Sequence, residues 1–146
     1  YIRAMPSLRS LAALALLAAQ TVMLLTLALM LATVVSPMAS GVVTVGLFGS
    51  AWIAGVVGGI GASLDNPGVA RVGTVSRLVL PTDGLWRGAM SELQHPAARL
   101  LFGGDDAAAF PFLGPGRLSL GYLVWVATWI AVCGALTIAS MVRKDL

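Results

Sequence analysis

Hydrophobic positions along this chain form long unbroken runs, unlike the alternation of a half-buried strand or the narrow stripe of a surface helix. No charged residue occurs from Ser10 to Leu64. One helix needs about 20 residues to cross a hydrocarbon core of about 30 Å. The run is therefore too long for one crossing and too short for three, and it has to fold back once. Ser36-Pro37-Met38-Ala39-Ser40-Gly41 is the place, since proline cannot continue a helix and glycine tolerates the turn. Spans are predicted over 11–35 and 41–62. A second uncharged run, Leu118–Val142, opens with Tyr122, Trp125 and Trp129, which suit an aromatic belt at a membrane surface. It stops at Arg143-Lys144-Asp145 and predicts a third span over 118–142.

The stretch 63–117 has a different character, with most of the charges and five of the seven prolines. Val69, Val72, Val75 and Val79 recur at roughly helical spacing, with Arg71 and Arg77 interleaved. That pattern predicts a short amphipathic helix lying at the membrane interface. Pro81-Thr82-Asp83-Gly84 breaks it, and Thr82 or Asp83 can cap a following helix. Leu85, Trp86, Ala89, Met90 and Leu93 would form the apolar side of that helix. Asp83 and Arg87 sit four apart, a pairing worth about 0.2–0.5 kcal/mol if exposed. Gly103-Gly104-Asp105-Asp106 and Phe110-Pro111-Phe112 read as loop.

Composition sharpens this into a class. Hydrophobic residues make up 58% of the chain, charged residues 10%, and mean hydropathy is +0.92. A soluble domain has about 45–50% apolar and about 25% charged residues. The expected fold is an all-α, polytopic helical membrane protein. It forms a single transmembrane unit of three spans with short interfacial helices between the last two. The net charge of +3 comes from scattered basic residues, with no basic stripe for nucleic acid. Cys133 stands alone and can form neither an internal disulfide nor a cysteine-pair metal site. The sequence starts at Tyr1 and is read as cut from a longer protein. The Arg143-Lys144 pair favours a cytoplasmic C-terminus.

No Asp, Glu, Lys, Arg or His falls within the three predicted spans, which argues against an ion-coupled carrier or an intramembrane hydrolase. No phosphate-binding Gly-x-x-x-x-Gly-Lys-Ser/Thr loop is present. His95, followed by Pro96, has no His, Cys or carboxylate at ligand spacing and reads as a surface histidine. Asp105-Asp106 reads as a solvated loop tip. Neither a catalytic residue, a cofactor nor a metal is therefore expected. In the second span Gly46, Ser50, Ala54, Gly58 and Ala62 fall at successive i+4 positions, with Gly55 and Gly59 beside them. Small residues so spaced let another helix approach closely in lipid. Packing within the same chain is the plainer reading, a dimer face or sliding surface the sharper one. Phe48, Trp52, Val56 and Ile60 make a bulky stripe at the same spacing. Gln20, Thr21 and Thr26 either hydrogen-bond a neighbouring helix, which is favoured, or line a substrate path.

Three pieces of sequence, taken in order, resemble a known family. They are Ser36–Val43 running into Gly46-Leu47-Phe48-Gly49 and Gly58-Gly59-Ile60-Gly61, then Val72–Arg87, then the terminal Arg143-Lys144-Asp145-Leu146. Together they resemble the C-terminal half of an ABC-2 type permease, the membrane subunit of bacterial ATP-binding-cassette exporters. The most telling piece is Leu80-Pro81-Thr82-Asp83-Gly84-Leu85-Trp86-Arg87, between the last two spans. The resemblance implies a six-span permease in the bacterial plasma membrane, of which this chain holds the last three spans. It implies a cytoplasmic C-terminus, and an outer segment 63–117 whose short helices lie at or dip into the outer leaflet. It further implies a separate ATP-binding-cassette ATPase subunit and a second permease copy, in a homo- or heterodimer embedded in lipid. The competing reading is a non-transporting scaffold or assembly protein that binds partner helices through the small-residue face.

Overall fold

The computed structural model describes residues 4–94 and 118–144, and among these it contains five helices and no strand. They are α1 (Ala4–Ala32), α2 (Pro37–Ser63), α3 (Pro67–Val79), α4 (Thr82–Leu93) and α5 (Leu120–Lys144). Three are long and apolar enough to cross a membrane: Leu8–Ala32, Pro37–Ser63 and Leu120–Arg143. The protein is an all-α, polytopic membrane protein. Each of these helices leaves most of its apolar surface uncovered by the rest of the chain, as expected where lipid is the solvent.

The first turn comes earlier than the predicted 36–41. α1 ends at Ala32, and Val34 and Val35 close the turn with N–H bonds to the Leu31 carbonyl, each 2.9 Å. Ser36 is the N-cap of α2, its hydroxyl accepting from the Ala39 N–H at 3.4 Å, and Pro37 takes the first helical position. Proline is pre-organised there and loses no helical hydrogen bond. It therefore starts the second span and does not interrupt it.

At the far end of α2 the chain reverses within three residues. Asp65 adopts φ 53°, the Asn66 N–H bonds the Gly61 carbonyl at 2.8 Å, and the Asp65 N–H bonds the Ala62 carbonyl at 3.2 Å. This is the Schellman arrangement, with aspartate at the left-handed position where glycine is commonest. The Asn66 side chain then caps α3 by accepting from the N–H groups of Gly68 and Val69. So tight a reversal lays α3 back along α2, antiparallel to it.

The helix predicted over 69–79 is present as α3. α3 packs chiefly on α2, with Gly73 against Gly58 and Ala70 against Gly61. Val72, Val75, Leu78 and Val79 are exposed. The buried face is the small one, and Val72, Val75 and Val79 point away from the chain into what would be lipid, while Val69 packs on Gly61. At Pro81 the chain turns again, with Leu80 extended as the residue before a proline must be. α4 then returns along α1. Leu80 and Leu85, on either side of this bend, share a core with Met23, Leu27, Ala51 and Val126. Ala51 lies twelve residues before the end of α2, about 18 Å at 1.5 Å per residue. α3 and α4 therefore form a hairpin whose tip reaches roughly the middle of the bundle.

Candidate functional site

The hairpin tip, residues 77–88, is where the chemistry gathers. Among the described residues, Pro81, Thr82, Asp83 and Leu85 are almost inaccessible, and Arg87 is 2% exposed. Asp83 accepts from two guanidinium groups. Arg77 Nε donates to Oδ2 at 3.0 Å, and Arg87 Nε donates to Oδ1 and Oδ2 at 3.1 and 3.2 Å. The Arg77 side chain keeps 32% of its surface, whereas those of Arg87 and Asp83 keep 3% and 1%. An ionised side chain in a water-poor interior needs both a counter-charge and hydrogen bonds. Asp83 receives both, one arginine coming from each arm of the hairpin.

Two glycines admit this cluster. A Cβ on Gly55 would fall on the Asp83 carboxyl group, and one on Gly84 would fall on the Tyr122 ring. The sequence-level pairing of Asp83 with Arg87 is present, but as a buried arrangement that includes Arg77. Its partner Arg77 lies six residues away, across the proline break. Asp83 was also expected as a cap. α4 instead begins after Pro81 with no side-chain cap, because the Asp83 carboxylate is turned to the arginines.

The aromatic residues of α5 reach across to the hairpin. Trp125 Nε1 donates to the Leu78 carbonyl at 3.2 Å, Trp129 Nε1 to the Val79 carbonyl at 2.9 Å, and the Tyr122 hydroxyl to the Pro81 carbonyl at 3.0 Å. The last carbonyls of α3 have no helical partner because Pro81 stops the helix. Irregular backbone at membrane depth requires such partners from protein or water. The two tryptophans of α5 supply them for Leu78 and Val79, and Tyr122 adds a second bond to the Pro81 carbonyl, which also accepts from the Leu85 N–H. Trp129→Phe is expected to destabilise the folded chain by about 0.5–1.5 kcal/mol, the net contribution of one hydrogen bond. A thermal melt of the detergent-solubilised protein unchanged by that substitution would contradict the assignment.

The small-residue row of α2 divides between its neighbours. Gly58 and Ala54 meet Gly73, Gly55 meets Asp83, and Gly59 is buried. Ala62 and Ser50 are exposed, and Gly46 has open space where a Cβ would stand. Gly61, absent from the predicted row, packs on Val69 and Ala70. Its signal was available in the Gly58-x-x-Gly61 spacing, facing the reversal at Asp65.

Gln20, Thr21 and Thr26 all lie on α1. Thr21 and Thr26 donate to the carbonyls of Leu17 and Val22 within α1. Gln20 is buried, and its Oε1 has no hydrogen-bond partner among the described residues. Cys133 is buried and free. The apolar helices take in Arg9 and Arg143 only at their ends, whereas Arg77, Asp83 and Arg87 bring charge to the middle of the bundle by way of the hairpin. Among the described residues no group of His, Cys, Asp and Glu could hold a metal ion. His95, Gly103-Gly104-Asp105-Asp106 and Phe110-Pro111-Phe112 lie outside the described residues. Compared with protein-family models, curated proteins and solved structures, the chain matches none.

Proposed function

We propose that the chain forms the last three spans of an ABC-2 type permease, the membrane subunit of a bacterial exporter. ATP is hydrolysed on a separate cassette subunit, and the permease works with a second permease copy in the plasma membrane. In this reading the C-terminus is cytoplasmic and the α3–α4 hairpin enters from the outer leaflet. One observation supports it most. Leu80–Arg87, the stretch on which the resemblance rests, is a buried, ion-paired hairpin tip in contact with α1, α2 and α5. A segment held by all three apolar helices is suited to move with them when the path switches from one face of the membrane to the other.

The alternative scaffold relied on a free small-residue face. Gly55 and Gly58 are covered by α4 and α3 of the same chain, which removes the centre of that face. Purification of the full-length protein from its native membrane in mild detergent tests the permease reading. A stoichiometric co-purifying subunit with a phosphate-binding loop is the expected result. A preparation without any ATPase, repeated after cross-linking in the membrane, would overturn it.

A further inference from the structure

A cavity of about 170 Å³ lies between α2, α3 and α4, independent of the ABC reading. Gly58, Gly59 and Ala62 line one wall, Ala70, Gly73 and Thr74 the other, and Arg77 and Arg87 close the deep end. Glycines and alanines leave the space, and the guanidinium groups give it its charge. At about 30 Å³ per water, the volume equals roughly five waters, enough for a tetrahedral oxyanion with some of its hydration. Ala62 is exposed and stands one residue before the end of α2, so the mouth lies at the membrane surface. Arg77 packs at the level of Gly55, about 10 Å further in at 1.5 Å per residue.

Charge decides what the cavity takes. Asp83 divides its two oxygens between two arginines. Arg77 uses Nε for that bond and keeps about a third of its side-chain surface open. A planar guanidinium with unspent donors matches phosphate or carboxylate oxygens, and the exposed Thr74 hydroxyl stands on the same wall. Among the described residues no carboxylate lines the cavity. We infer that this cavity binds an oxyanion of the phosphate type through Arg77, entering from the membrane surface at the C-terminal end of α2. The group comes either from a lipid headgroup drawn down beside Ala62 or from a free anion.

The test uses the full-length protein in phosphatidylcholine nanodiscs, read by thermal melting. One arm adds inorganic phosphate against chloride at equal ionic strength. The other replaces part of the phosphatidylcholine with phosphatidylglycerol. A rise of several degrees in at least one arm is expected, lost in Arg77→Gln and equally in Ala62→Leu. The second variant fills the mouth without touching the ion cluster, so it remains informative if Arg77→Gln fails to fold. A rise with phosphate assigns a free anion, and a rise with phosphatidylglycerol alone assigns a lipid. No rise in either arm would overturn the inference. So would a rise that survives in Ala62→Leu, since the anion would then sit elsewhere.

Discussion

Asp83→Asn is expected to lower the stability of the folded protein by about 3–5 kcal/mol, the cost of removing one member of a buried ion pair. The asparagine fits the space, because it has nearly the shape of the aspartate and the wall at Gly55 is unchanged. The charge does not. Arg87, 2% exposed, would keep its guanidinium beside Arg77 without the carboxylate that now lies between them. At membrane depth there is little water to take over. In a thermal melt of the purified full-length protein the shift should be about 10 °C or more. Arg87→Gln is expected to follow it closely, and Arg77→Gln to cost less because that side chain is partly open to solvent. A melt of Asp83→Asn within a degree or two of the wild type would mean that the three groups are not held together as described.

The size of that effect was not readable from the sequence, although its participants were. The three apolar spans follow from length and hydropathy, and the structure moves their boundaries by only a few residues. At 36–41 the difference arises because Pro37 serves as a helix start, a role that local composition shares with a helix stop. The hairpin was harder to see. Arg71, Arg77, Asp83 and Arg87 spread charge over 71–87, and charge is ordinarily a sign of water. Asp83 and Arg87 are buried here, and Arg77 partly so, because a tight reversal at Asp65 and a proline bend at Pro81 bring distant residues together, while Arg71 stays exposed. Arg77 and Asp83 belong to different helices and neutralise each other only after the chain has doubled back. Tyr122, Trp125 and Trp129 have a second role of the same kind. Their amphipathic rings suit an interface, and their donors also reach the carbonyls of Leu78, Val79 and Pro81. Sequence spacing within one helix cannot reveal a partner forty to fifty residues away.

The depth of the hairpin depends on how closely α3 can approach α2, and there Gly58→Ala should act. A Cβ at that position would meet the Cα and N of Gly73, which are backbone atoms that no rotamer change can move. The Ala70 carbonyl oxygen stands 3.3 Å from the same point. α3 has to shift as a whole, and overpacking of this kind costs about 1–3 kcal/mol. Gly73→Ala is the reciprocal case, with Gly58 Cα at 2.9 Å and the Ala54 carbonyl oxygen at 3.4 Å. Gly46→Ala is the control on the same helix, since nothing lies within 4 Å of its added methyl group. There alanine should be neutral or slightly stabilising, by up to about 1 kcal/mol of helix propensity. A general intolerance of α2 to larger side chains would make the Gly46 and Gly58 variants melt alike. A lowered melt at Gly58 and Gly73 together with an unchanged or raised one at Gly46 would show that the glycines serve contact between α2 and α3. Because the Arg77–Asp83 pair is carried on that contact, the two harmful alanines should also make Asp83→Asn less costly when combined with it. Such non-additivity is expected of residues that share one packed unit.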